Sequence, residues 1–111
     1  MDKYDRHKEL CTLLNETYIK KNHDYGDSFH LSFLEEGMAM PRIRLSDKLN
    51  RFKALSKGAE QRVADESMID TLLDLANYAL MTVLEIEAGK TKEEAMKCAG
   101  TVTSGEEIDG Y

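Results

Sequence analysis

Three carboxylates spaced four residues apart, Glu66, Asp70 and Asp74, followed by Asn77, form the most chemically suggestive group in this 111-residue chain. On a helix they share one stripe about 80° wide, while the apolar residues of the same segment occupy the opposite side. Like charges four apart repel by a few tenths of a kcal/mol, and a solvated face usually relieves this with interleaved Lys or Arg. Residues 63–88 hold six acids and no base. Three readings compete. The stripe is an acidic face, free in solvent or docked on a basic helix. Alternatively it is a divalent-metal site, in which Glu66, Asp70 and Asp74 hold Mg²⁺, substrate phosphates complete the coordination, and a metal-activated water does the catalysis. In the third reading it hydrogen-bonds a polar ligand directly, with Asn77 reading a base or sugar edge.

The preceding segment has the opposite sign. Residues 42–62 carry seven bases and two acids. Arg44, Lys48 and Arg51 cluster on one side of a helix, beside Leu45, Leu49 and Phe52. Cations bordering an apolar stripe either snorkel to water or turn into a cleft and hold phosphate, Arg as a bidentate fork and Lys as a point charge. A carboxylate stripe facing a basic stripe is the arrangement a Mg²⁺-nucleotide needs. Asp24-Tyr25-Gly26-Asp27-Ser28 adds a flexible glycine, a stacking ring and a helix N-terminus, an anion or hydroxyl site that local grammar also explains as one helix stopping and another starting.

Other candidates carry less. His7, His23 and His30 share no helical spacing and are expected at the surface. Cys11 and Cys98 lack metal-ligand spacing and fall at apolar helical positions, so buried free thiols are expected. The six methionines read as core filler. Gly89-Lys90-Thr91 ends like a P-loop, but Leu84 stands where that motif requires glycine.

The elements that must position these residues are helices. No Val/Ile/Thr-rich alternation of strand length occurs, and one proline and seven glycines cut the chain into helix-sized pieces. The pattern predicts an all-α bundle of four to five helices. The first runs from Asp2 or Asp5 to Lys21, and a loop covers His23–Asp27. A short second helix capped by Ser28 has Phe29, Phe33 and Leu34 inward and Gly37 at its C′ position. The third starts at Pro41 and reaches Lys57. A long fourth helix opens at Asp65 or Ser67, carries Ile69, Leu72, Leu73, Ala76, Leu80, Val83 and Leu84, and stops at Gly89. Thr91 and Glu94 make a capping-box pattern for a last short helix ending near Gly100. Residues 1–100 form one domain, and 101–111 have little to bury and read as a flexible tail.

Composition sets further bounds. With 21 Asp and Glu against 15 Lys and Arg, the formal charge is −6, so direct nucleic-acid binding driven by bulk charge is not expected. No apolar run reaches membrane-spanning length and the first ten residues are charged throughout, so no membrane association is expected and the expected location is cytoplasmic. Aromatic residues are only 7% and Trp is absent, which leaves a core of Leu, Met, Ala and Ile and makes a homo-oligomer the expected state.

Three blocks carry a family resemblance. They are Lys21-Asn22-His23-Asp24-Tyr25-Gly26-Asp27-Ser28-Phe29, Arg44-Leu45-Ser46-Asp47-Lys48-Leu49-Asn50-Arg51, and Glu66-Ser67-Met68-Ile69-Asp70-Thr71-Leu72-Leu73-Asp74-Leu75-Ala76-Asn77-Tyr78-Ala79. In this order they resemble the phage and bacterial nucleotide-modification-associated helical domain, first type, over residues 15–85. A more distant similarity is to the MazG-type all-α nucleoside triphosphate pyrophosphatases. Asp70 and Asn77 keep the spacing of that group's second metal motif, but no Glu-Glu-x-x-Glu occurs and the third helix offers only Asp47. Together these resemblances imply a helical protein that binds a nucleotide or deoxynucleotide. Arg44, Lys48 and Arg51 would hold phosphate, with Asp24, Tyr25, Asp47 and Asn77 completing the pocket. Glu66, Asp70 and Asp74 would hold Mg²⁺ if the activity is phosphoanhydride hydrolysis. A non-catalytic nucleotide-binding or sequestering module and a structural interaction protein stand as alternatives.

Overall fold

The computed structural model contains four helices in chain order, α1 (Lys3–Tyr25), α2 (Ser28–Glu36), α3 (Ala39–Ser56) and α4 (Gln61–Met96). It describes residues 2–58 and 61–96, with side chains over 2–58 and 66–90, and no strand occurs among the described residues. The all-α expectation holds. The expected tail at 101–111, the end of the expected last helix and Cys98 lie outside the described residues.

Asp2 caps α1 by accepting a hydrogen bond from the Asp5 amide at 2.8 Å, as a short acidic side chain does at an N-cap. The helix then runs through His23-Asp24-Tyr25, where a loop was expected. It stops at Gly26, whose φ of 64° is left-handed and whose N–H donates to the Asn22 carbonyl. Asp27, also left-handed at φ 59°, completes the reversal. It is the N-cap of α2, a place expected for Ser28, and makes no side-chain cap bond. Gly37 ends α2 at φ 67°, ψ −152°, a region essentially closed to residues with a Cβ. Pro41 sits in the first turn of α3, where its missing N–H costs nothing, and both it and Met40 are buried.

α3 and α4 form the principal pair, and their register is legible from three bonds. Arg44 Nη1 meets the Tyr78 hydroxyl at 3.4 Å, Lys48 Nζ meets Asp74 Oδ2 at 3.0 Å, and Arg51 Nε donates to Thr71 Oγ1 at 3.2 Å. Each forward step of four or three along α3 is matched by an equal backward step along α4. The two helices are antiparallel, with the basic stripe of α3 on the Thr71, Asp74 and Tyr78 side of α4.

Two more contacts dock the remaining helices. Phe29 of α2 stacks on Tyr78 with centroids 5.9 Å apart, and His30 Nδ1 lies 2.7 Å from Glu85 Oε1. α1 is tied to α4 where Asn77 Nδ2 donates to the Leu14 carbonyl at 3.1 Å.

Several expectations are corrected. α4 is one helix of 36 residues that passes through Gly89 and Thr91, so neither the stop nor the separate last helix exists there. A glycine in a helix interior costs only about 1 kcal/mol relative to Ala, and a capping box needs its Thr outside the helix. The apolar side of α4 does not face inward. Thr71 is 2% exposed while Ile69, Leu72, Leu80, Val83 and Leu84 are exposed and Leu73 and Ala76 are half-buried, because the α3 cations engage Thr71, Asp74 and Tyr78 on another side of the helix. Leu34 is exposed rather than inward. The buried hydrophobic side chains among the described residues include Phe29 and Met40 but no Leu or Ile. Cys11 is exposed, since α1 buries none of its residues. His30 is half-buried on Glu85 rather than a free surface group.

Gly37→Ala is expected to destabilise the fold by about 1–3 kcal/mol through backbone strain alone, as an added Cβ at 37 would meet nothing within 4 Å. Gly26→Asn, at an ordinary left-handed position, is expected to cost well under half as much. Paired urea titrations of the two variants check this ordering.

Candidate functional site

Extending α1 to Tyr25 has a direct consequence for the site. Tyr18, Lys21 and Tyr25 recur at spacings of three and four and therefore share one face of α1. That face closes a cleft of about 270 Å³ against α2, α3 and α4. α1 contributes Thr17, Tyr18, Lys21, Asn22 and Tyr25. Ser28 and Phe29 come from α2, Arg44 and Lys48 from α3, and Asp74, Asn77, Tyr78 and Met81 from α4. Three cations, four aromatic rings and one carboxylate thus line one concavity.

A second recess of about 380 Å³ adjoins it along the α1–α4 groove, sharing Thr17, Lys21, Asp74 and Asn77 and adding Asp70. Asp70 and Asp74, one helical turn apart, both border the combined groove.

The electrostatics are set by pairing within the groove. Lys48 and Asp74 form an ion pair at 3.0 Å, with side chains 27% and 37% exposed. The pair is wet enough to rearrange. The Arg44 guanidinium lies 5.8 Å from the Tyr78 ring centroid, within cation–π range, and the Tyr78 ring also stacks on Phe29. Asn77 is half-buried and spends one amide N–H on the Leu14 carbonyl, so it fixes the width of the groove.

Of the residues singled out from sequence, Tyr25, Arg44, Lys48, Asp74 and Asn77 line the cleft and Asp70 borders the adjoining recess. Four lie elsewhere. Arg51 is engaged with Thr71 in the helix pairing. Asp24 is exposed and sits 3.7 Å from His23, being turned about 100° from Tyr25 on the helix. Asp47 and Glu66 are exposed and line neither recess.

The proposed carboxylate triad does not converge. Eight residues of helix separate Glu66 from Asp74, about 12 Å along the axis, and each step of four also rotates the side chain by about 40°. Among the described residues no three His, Cys, Asp or Glu side chains group closely enough to hold one metal ion. The donors that remain together are the two hard carboxylates Asp70 and Asp74. That set fits Mg²⁺, which is commonly held by one or two carboxylates plus substrate phosphates and water.

Sequence reasoning missed Tyr18, Lys21, Phe29 and Tyr78 as parts of the site. The signal for the first two was the spacing 18, 21, 25, visible only if the helix is carried past Lys21. The signal for Tyr78 was its offset of four from Asp74.

Comparison with known proteins places this geometry in context. Residues 21–86, more than half of the chain, match the model of a family described as nucleotide modification associated domain 1. The matched span contains every cleft residue except Thr17 and Tyr18. No curated protein and no solved structure matches the chain.

Asn77→Asp replaces an amide donor with a carboxylate facing the Leu14 carbonyl, and is expected to cost about 1–3 kcal/mol. Hydrogen exchange in α1 should rise more than in α3, because the lost bond ties α1 to α4. Equal exchange in both helices would refute that role for Asn77.

Proposed function

The chain belongs to the nucleotide modification associated domain 1 family, and from that premise we propose that the cleft binds a nucleoside phosphate, the nucleotide or deoxynucleotide ligand expected from the sequence. One observation carries the reading. Lys21, Arg44 and Lys48 stand in the same 270 Å³ concavity as Tyr18, Tyr25, Phe29 and Tyr78, so cations suited to phosphate lie beside rings suited to a base.

The residues divide by chemistry. Arg44 offers a planar fork and Lys21 and Lys48 offer point charges, which together suit two or more phosphate groups. Tyr25 is exposed at the rim and can fold onto a base that enters between α1 and α4. Tyr78 is held by Phe29 and Arg44 and forms the fixed wall. Asn77, at the junction of the two recesses, is placed to hydrogen-bond a base or sugar edge.

A second reading, phosphoanhydride hydrolysis, is favoured by the placement of Asp70 and Asp74 on the groove that holds these cations. Asp70 and Asp74 would hold Mg²⁺ there. Bound with substrate, that ion supplies Lewis-acid activation of water and phosphate. Lys48 would leave Asp74 for phosphate as the ion arrives, so the carboxylate never stands without a cation.

The test is the thermal midpoint with ribo- and deoxynucleoside mono-, di- and triphosphates, each with and without Mg²⁺. A ligand at about 100 times its Kd stabilises the folded state by about 2.7 kcal/mol. Lys21→Ala and Arg44→Ala are each expected to weaken binding about tenfold, or about 1.4 kcal/mol, since loss of one charge-assisted contact is of that order. A shift that requires Mg²⁺ and is followed by phosphate release supports hydrolysis, with Asp70→Asn expected to abolish turnover. A shift without Mg²⁺ and without turnover supports a binding or sequestering module. No shift with any nucleotide at millimolar concentration would refute the proposal.

A further inference from the structure

The side of α4 turned away from the cleft carries an unusual pattern. Ile69, Leu72, Ala76, Ala79, Val83 and Ile86 follow one another at spacings of three, four, three, four and three, the a/d repeat of paired helices. Ile69, Leu72, Val83 and Ile86 are each 41–55% exposed, Ala79 is exposed and Ala76 is half-buried. No charged residue interrupts the strip between Ile69 and Ile86. α4 meets α3 through Thr71, Asp74 and Tyr78 and thus leaves its most continuous apolar strip on the outside.

What covers such a strip is indicated by its own symmetry. From either end it runs large, large, small, so that in an antiparallel pair Ile69 opposes Ile86, Leu72 opposes Val83 and Ala76 opposes Ala79. The two-fold axis falls between the alanines, whose small side chains let the backbones approach. Only an isologous contact makes every residue face its counterpart in this way. The charges agree with that direction. Glu66, one turn before the strip, and Lys90, one turn after it, are both exposed, and antiparallel pairing brings each near the other copy's opposite charge.

The remaining candidates for the cover are weaker. α1 is bonded to α4 at Asn77, on the groove side. The fifteen residues after Met96 contain only Val102, Ile108 and Tyr111 as large apolar side chains, too few to match the strip. The strip is about 26 Å long. Self-pairing would bury on the order of 500 Å² per copy, or about 1,000 Å² in total, the size at which specific interfaces begin.

We propose that α4 pairs with α4 of a second copy of this chain in antiparallel register through Ile69, Leu72, Ala76, Ala79, Val83 and Ile86, giving a two-fold dimer whose clefts lie on its outer flanks. This assignment is independent of what the cleft binds.

Light scattering on the full chain tests it. Wild type should show twice its 12.6 kDa mass at micromolar concentrations, with a thermal midpoint that rises with concentration. Leu72→Lys and Val83→Glu should each be monomeric while keeping the wild-type helical signal, which is expected because both positions are exposed in the single chain. Mixed in equal amounts, the two variants should recover the dimer, because the lysine introduced at 72 then faces the glutamate introduced at 83. Leu34→Lys, at an exposed position on α2, should leave the mass unchanged. A wild-type monomer at about 100 μM overturns the proposal, as does a dimer that survives both α4 substitutions or is lost with Leu34→Lys. A mixture that stays monomeric overturns the antiparallel register.

Discussion

The antiparallel ladder between α3 and α4 is the constraint on which the rest of the molecule depends. Arg44, Lys48 and Arg51 meet Tyr78, Asp74 and Thr71 in one register, and a slip of one residue would rotate every pair about 100° out of alignment. Each bond alone is modest, because a partly exposed ion pair contributes about 0–1 kcal/mol and a neutral hydrogen bond about 1 kcal/mol. Their shared consequence is orientation. They hold the Thr71, Asp74 and Tyr78 side of α4 against α3, so Asp74, Asn77 and Tyr78 come to line a cleft, and the Ile and Leu stripe is turned outward. Site and exposed apolar strip are two results of one choice of face.

Helix existence was legible in the sequence because it rests on local rules. Gly26, Gly37, Pro41 and Gly58 punctuate the chain as their backbone chemistry requires, and three of the four helices begin or end at those marks. Gly89 was misleading for a physical reason: a single glycine weakens a helix without stopping it. Orientation was less legible. Periodicity shows that α4 has an apolar side but not whether that side faces its own chain, and the usual assumption of an inward stripe fails when a neighbouring helix offers cations in register.

The same asymmetry governs the site. Arg44, Lys48, Asp74 and Asn77 could be found because charge runs and spacing report which residues share a face. Glu66 was included because a wheel compresses distance along the axis, so residues eight apart look adjacent while lying about 12 Å apart. Tyr18 and Lys21 were left out because ending α1 four residues early removed the face that groups them with Tyr25. Tyr78 stands one turn after Asp74 but reads otherwise as one more apolar residue, and the contacts that fix it come from Phe29 and Arg44, residues distant in sequence that no local pattern connects to it.

The Lys48–Asp74 pair then explains how a cleft of this kind stays open to an anion without being ordered by one. Lys48 and Asp74 are 27% and 37% exposed, so solvent screens their attraction and separating them costs little. A phosphate presents a doubly charged, multiply accepting partner, and a charge-assisted bond to it is stronger than a bond between neutral groups. With such a ligand the ammonium would gain by exchanging partners, while Asp74 would be left one helical turn from Asp70, where a second carboxylate would make an incoming cation more favourable still. On the proposed function, cation and anion binding in this groove would therefore be coupled through one lysine: whatever neutralised Asp74 would free Lys48, and whatever captured Lys48 would raise the affinity of the carboxylates for a cation. That reciprocity needs no moving helix, only a side chain with two alternative partners within reach.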